Sequence, residues 1–342
     1  MAYTTINKPN TQMNTVLYTG NGGTQSITGV GFQPDWTWLK ARSESASHEL
    51  FDVVRGVTKT INSNTTNAEA TQTDSLTAFG SDGFTLGSNG DINYNNSTYV
   101  GWNWKAGGTA SSNTDGSITS SVSANTTSGF SVVTFTGTGS NATIGHGLGV
   151  KPDAVFFKRL DTTGGWASYH SVLGATKYMR LDTNSGEQTA SDEFQNTEPT
   201  SSVISIGTDG AVNGTSMVAY CFADVKGFSK FNSYVGNGST DGPFIFTGFK
   251  PAFVLIKKSN ASGTDWQLTD NKRDLHNVCT HRLLPNDSIA EQTDSLDLDI
   301  LSNGFKIRKS STTSNASGAT YIYLAFAENP LVGTNNVPAT AR

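Results

Sequence analysis

Residues 234–258 read YVGNGSTDGPFIFTGFKPAFVLIKK, and the chain writes this phrase two more times. Residues 18–42 read YTGNGGTQSITGVGFQPDWTWLKAR, and residues 135–159 read FTGTGSNATIGHGLGVKPDAVFFKR. Each copy opens on an aromatic residue followed by G-x-G at fixed offset: Tyr18, Gly20 and Gly22; Phe135, Gly137 and Gly139; Tyr234, Gly236 and Gly238. Each then reaches a G-[FV]-x-P turn, Gly31 to Pro34, Gly149 to Pro152 and Gly248 to Pro251. A lysine stands six residues after each proline, at Lys40, Lys158 and Lys257. Ordered anchors that agree three times predict one structural unit used three times.

The rest of the unit recurs downstream. Thr73-Asp74-Ser75-Leu76 returns as Thr293-Asp294-Ser295-Leu296, and Asp82-Gly83-Phe84 as Asn303-Gly304-Phe305, with Asp209-Gly210 as the middle counterpart. Because the middle copy lacks that phenylalanine, its last hairpin is expected to differ. Each copy closes on an aromatic strand: YVGWNWKA from Tyr99, MVAYCFAD from Met217 and YIYLAFAE from Tyr321. Apolar residues on both faces of the post-proline runs predict central strands covered on two sides. Short Ser/Gly/Asp turns lead from them to His48, Trp166 and Trp266, which predicts a hairpin in each copy. No long amphipathic helix is visible. The expected fold is all-β: three tandem two-sheet β-sandwich repeats, jelly-roll or lectin-like, of about 100 residues each.

These signals divide the chain into an N-terminal docking arm (1–14), repeat 1 (15–106), a Gly/Ser/Thr-rich linker (107–128), repeat 2 (129–226), repeat 3 (227–330) and a C-terminal tail (331–342). The stretch 107–128 has no aromatic residue, which reads as a linker or a loosely packed excursion. It predicts that repeats 2 and 3 form a rigid pair and that repeat 1 is more independent.

Charged residues make up 15% of the chain, against roughly 25% in an average globular protein. The net charge of −5 and the absence of a Lys/Arg stripe argue against nucleic-acid binding. No apolar run is long enough for a membrane helix, and no signal peptide is visible. Cys221 and Cys279 lie in different repeats and read as two buried thiols, with a disulfide between them as the alternative.

Searching for chemistry returns little. His276, Cys279 and His281 are the nearest approach to a metal set, but strand alternation puts His276 on the opposite face from the other two. His146, between glycines in a turn, reads as a histidine bonded to backbone, since no nucleophile motif accompanies it. The Asp/Asn-rich turn at 236–242 follows no calcium-loop pattern. The expectation is a protein with no enzymatic activity, no metal and no cofactor. Trp166 and Trp266 are candidate glycan platforms, against the plainer reading that they are packing residues.

Several phrases resemble a widespread family of tailed-bacteriophage virion proteins. They are GFQPDWTWLKARS, FDVVRG, SDGFTLG and YVGWNWKAGG in the first repeat and ATIGHGLGVKPD in the second. The third repeat adds NGSTDGPFIFTGFKPAFVLIK and YIYLAFAENP, and the tail adds NNVPATAR. The resemblance implies a virion structural protein, tail-associated as a fibre, spike or adaptor, that takes part in host-surface attachment. A capsid decoration or head-fibre protein is the alternative, and a glycan-degrading tailspike enzyme is a third class, disfavoured by the missing acid/base motif. Expected partners are other virion proteins, further copies of the chain in a homo-oligomer (a trimer favoured) and a host cell-surface glycan, with no nucleic acid and no membrane insertion. The expected location is the virion, after synthesis in the host cytoplasm.

Overall fold

The glycines of the repeated phrase are held by two different constraints. A Cβ on Gly20, Gly137 or Gly236 would lie 2.2, 2.3 or 2.3 Å from the carbonyl oxygen of Tyr94, Gly214 or Ala316, so the first glycine admits a neighbouring backbone. Gly22, Gly139 and Gly238 have φ of 69°, 67° and 69°, and Gly31, Gly149 and Gly248 have φ of 88°, 73° and 82°. L-residues with a side chain rarely adopt this region. The phrase therefore specifies two turns around one short strand.

The computed structural model describes residues 3–293, 296–333 and 338–340. Its first part contains β1 (Met13–Thr19), β2 (Gln25–Thr28), β3 (Trp36–Ala41), β4 (Glu49–Asp52), β5 (Lys59–Thr60), β6 (Ala70–Thr71), β7 (Leu76–Gly80), β8 (Gly83–Leu86) and β9 (Thr98–Trp104). The second contains β10 (Ser111–Asn113), β11 (Ser120–Asn125), β12 (Phe130–Phe135), β13 (Ala142–Gly145), β14 (Ala154–Arg159), β15 (Ala167–His170), β16 (Lys177–Tyr178), β17 (Gln188–Thr189), β18 (Val203–Ile206) and β19 (Met217–Phe222). The third contains β20 (Ser229–Val235), β21 (Phe244–Phe246), β22 (Phe249–Lys258), β23 (Gln267–Asp270), β24 (Leu298–Leu301), β25 (Gly304–Ile307) and β26 (Thr320–Pro330).

The fold is all-β, built from several antiparallel sheets. One four-strand order recurs three times: β1-β9-β3-β4, β12-β19-β14-β15 and β20-β26-β22-β23. A smaller sheet accompanies each, β2-β8-β7, β13-β18 and β21-β25-β24. The post-proline runs are central strands, as their two-sided apolar pattern requires, and each pairs with the predicted hairpin partner. The second small sheet has two strands where the others have three. Its pairing places Ile204, opposite Ile144, where Phe84 and Phe305 stand opposite Ile27 and Ile245. Asp209-Gly210 is therefore not the counterpart of Asp82-Gly83; it lies in the turn after β18. The Asp294-Ser295 part of the Thr293–Leu296 motif lies outside the described residues.

The second face of each large sheet is turned to the other two units, and a single apolar core joins all three. At its centre Trp104, Phe222 and Phe326 occupy one equivalent position on the closing strands β9, β19 and β26. Their ring centroids are 6.4, 5.6 and 5.8 Å apart, a nearly equilateral triangle of edge-to-face contacts. The three units thus close into a ring with pseudo-three-fold symmetry. Backbone bonds between units repeat round it: Ala46 N to Ser288 O, Gly164 N to Thr66 O, and Gly263 N to Asn184 O, at 2.8–3.0 Å. Glu291 N to Arg42 O, Glu69 N to Leu160 O and Glu187 N to Ser259 O form a second such set.

Two expectations about the chain's organisation fail for the same reason. Unit 1 is not more independent: Trp36 stacks on Tyr220 of unit 2 at 4.6 Å, and Trp102 Nε1 donates to Asp270 Oδ2 of unit 3 at 3.0 Å. Residues 107–128 are not a linker, because β10 and β11 extend the large sheet of unit 2 and bury Ile118 and Val122 in its inner core. Their polar composition suits an edge hairpin with one wet face. The described part of the N-terminal arm is docked on its own chain: Tyr3 Oη donates to Gly248 O at 2.7 Å, and Ile6 joins the central core.

Because the three units share one core, calorimetry should show a single cooperative unfolding transition. Trp104→Ala is expected to lower its stability by about 3–5 kcal/mol while leaving one transition; three separable transitions, with only the first shifted, would show that the units unfold alone.

Candidate functional site

His48, Trp166 and Trp266, the residues that the sequence aligned, stand immediately before β4, β15 and β23. The structure turns all three inward, to the seams between units. Trp166 Nε1 of unit 2 donates to the Asn62 carbonyl of unit 1, and Trp266 Nε1 of unit 3 to the Arg180 carbonyl of unit 2, both at 2.9 Å. His48 of unit 1 completes the cycle with Nε2 at 2.9 Å from the Leu284 carbonyl of unit 3. Trp38 Nε1 donates to His48 Nδ1, which leaves the proton on Nε2. Burial holds the His48 imidazole well below its ordinary pKa, so it stays neutral. Trp166 is 0% and Trp266 1% exposed. Neither offers a sugar a face, and the candidate glycan platforms are corrected to seam residues.

The other singled-out residues are mostly structural. Pro34 and Pro152 are buried just before β3 and β14, and Pro251 is buried within the first residues of β22. Buried His146 accepts from Leu148 N on Nδ1 and places Nε2 3.3 Å from the Thr200 carbonyl, a backbone role. Cys279 is buried in the central core, whereas His281 turns its Nδ1 to Asp274 Oδ1 at 2.6 Å. Among the described residues no three His, Cys, Asp or Glu side chains gather in a metal-holding group. A signal missed in the sequence is the asparagine that holds each G-x-G turn. Asn93, Asn213 and Asn315 each accept a turn N–H on Oδ1 and donate Nδ2 to backbone carbonyls. The exposed large aromatics are elsewhere, at Tyr94, Phe244 and Phe246. By the sheet register, Phe244 and Phe246 stand where unit 1 has Ser26 and Thr28 and unit 2 has Thr143 and Gly145.

The repeated lysines face inward too. Lys40, Lys158 and Lys257 are each 0% exposed. Their ammonium groups donate to carbonyls at the base of the β3–β4-type hairpins: Lys40 to Ala41, Lys158 to Gly164, and Lys257 to Thr264. Lys257 also reaches the Asn184 carbonyl across the seam, at 3.4 Å. Burial lowers each of the three to about 8. They are polar plugs that satisfy carbonyls in a buried junction.

A family model described as a domain of unknown function, DUF7483, matches residues 8–330, and the chain belongs to that family. No curated protein and no solved structure matches it.

The lysines make stability depend on pH in a definite direction. Above pH 8 the folded lysines release protons that unfolded lysines, near 10.5, still hold. Unfolding then takes up protons, and stability rises with pH. Glu193, raised to about 8, and Cys221, raised to about 12, both chiefly by burial, act with the opposite sign, but the three lysines outnumber them. The melting temperature should therefore rise between pH 8 and about 9.5. Lys158→Met should remove about a third of the rise; an unchanged slope in that variant would show that Lys158 does not titrate there.

Proposed function

We propose that this chain is a bacteriophage virion structural protein, tail-associated as a fibre, spike or adaptor, that supplies a rigid surface rather than a reaction. The observation that carries the reading is the closed ring. Three like units share one aromatic core, and at their seams His48, Trp166 and Trp266 are engaged in holding neighbours. His48, Trp166, Trp266 and the repeated lysines Lys40, Lys158 and Lys257 are spent on backbone carbonyls inside. A particle component outside a cell has to stay folded without cofactors and to resist proteases, which act on opened segments. A ring with a common core keeps such openings rare. Among the phrases that resemble tailed-phage virion proteins, GFQPDWTWLKARS and YVGWNWKAGG carry strands β3 and β9, and NGSTDGPFIFTGFKPAFVLIK and YIYLAFAENP carry their equivalents β22 and β26.

The role implies a location. Fab fragments raised against the purified chain, imaged by electron microscopy on virions of the phage that encodes it, should label the tail, and bound Fab should slow adsorption to the host. Label confined to the head with normal adsorption would replace the tail role with decoration. A chain missing from purified virions would end the structural reading.

A further inference from the structure

The three seams are not alike, and the difference lies in how the chain crosses them. From unit 1 to unit 2 and from unit 2 to unit 3 the chain runs on directly, and an aspartate pins it. Asp35 Oδ2 accepts from Ala106 N and Gly108 N, and Asp153 Oδ2 accepts from Asp224 N. Between unit 3 and unit 1 no such connection exists, and Ala252 follows the turn proline where the other units have aspartate. The space there is a cavity of about 260 Å³ between the N-terminal arm, β1 and the end of β26.

Its wall departs from the pattern of the other units at two further places. By strand register Thr15 stands where unit 2 has Val132 and unit 3 has Phe231, both core residues. Asn271, the residue after β23, stands where unit 1 has Val53 and unit 2 has Ser171. Thr15 and Asn271 are each 4% exposed, and neither Thr15 Oγ1 nor Asn271 Oδ1 has a hydrogen-bond partner among the described residues. Buried polar oxygens without partners are uncommon, because each costs about 1–3 kcal/mol. Here both belong to residues that line the same cavity, at positions where the other units have mainly apolar residues.

We propose that this seam binds a hydroxyl-rich ligand about the size of one sugar residue. The volume equals that of about nine waters at ~30 Å³ each. Asn271 Oδ1 needs a donor, which disfavours phosphate or carboxylate against it. Thr15 Oγ1 can donate or accept, and a ligand hydroxyl can answer both atoms. Met13 and Ala327 give apolar wall for the C–H faces of a sugar ring, and Lys272 and Glu328 supply charged groups at the rim. Pockets that combine apolar wall with a few placed polar groups are the usual form of small-molecule sites. The inference stands on the cavity alone and holds whether or not the chain is a virion component.

Saturation-transfer NMR on the purified full chain tests it, with glucose, galactose, mannose, N-acetylglucosamine and their methyl glycosides as probes. At least one is expected to bind. The double variant Thr15→Val/Asn271→Val installs residues that units 2 and 1 carry at these positions. It should weaken binding at least tenfold with an unchanged or higher melting temperature. A methyl glycoside that binds as well as its free sugar would identify the end of a glycan as the source, and binding of the free sugar alone would identify a soluble sugar. A crystal soaked with the strongest binder should show it against Thr15 and Asn271. No binding by any probe, equal binding by the double variant, or a soaked sugar found elsewhere would overturn the proposal.

Discussion

On the axis of the molecule Trp104, Phe222 and Phe326 meet edge to face, and each belongs to a strand that is already central in its own sheet. A strand in that position has its backbone bonds satisfied by neighbours on both sides, so its place is set by what covers its two faces. One face is covered by the small sheet of the same unit, as Val16, Ile27, Phe84 and Leu86 show in the first. The other is covered only by the remaining two units. Without the axial contact, each unit would expose a sheet face made of tryptophan, phenylalanine and tyrosine, far more apolar surface than a soluble monomer usually presents. The ring is the way three half-covered sheets cover one another.

That arrangement accounts for the seams. Once the large sheets converge, hairpin loops of adjacent units are brought together, and their backbone groups are taken out of water. The structure meets this with the same answer at each junction. There are two sets of backbone bonds, an indole or imidazole N–H on a neighbour's carbonyl, and a buried ammonium on the hairpin base. A lysine in such a place is costly as a charge, and burial accordingly lowers it to about 8. Its three donors compensate by satisfying carbonyls that no strand ladder reaches.

Much of this was legible, and what was not has a common cause. The anchors Gly20, Gly22, Gly31 and Pro34, with their two sets of equivalents, report local geometry, which a sequence states directly. So do the hairpins that lead to His48, Trp166 and Trp266. A run such as Trp36–Ala41, apolar on both faces, says that both are covered without saying by what. Trp166 and Trp266 were therefore open to a surface reading, although the second cover is another unit. The stretch 107–128 misled in the opposite way, since the polar outer face of an edge hairpin has the composition of a linker. The arm residues Tyr3 and Ile6 carry no repeat and no periodicity, so nothing in their sequence points to a partner 245 residues away.

Ring closure puts the heaviest demand on the one seam that the chain does not cross, and an ion pair between units is found there. By the spacing from the repeated lysine, Arg42 of unit 1 corresponds to Leu160 and Ser259. Only Arg42 can form an ion pair, and it holds both oxygens of Glu291 in unit 3, at 3.0 and 2.8 Å. Arg273 binds the same carboxylate from within unit 3, at 3.1 Å. Burial alone would raise the Glu291 pKa, but the two guanidinium groups more than offset it and hold the carboxyl below its ordinary value. A bidentate pair of this kind is directional as well as attractive, and breaking it by removing one partner would leave a half-buried charge behind. Where the covalent chain sets the register between units 1 and 2 and between units 2 and 3, this pair and the Tyr3 contact set it between units 3 and 1. The seam closed in this way is also the one that leaves a polar cavity, because contacts that replace a connecting segment need not fill its volume.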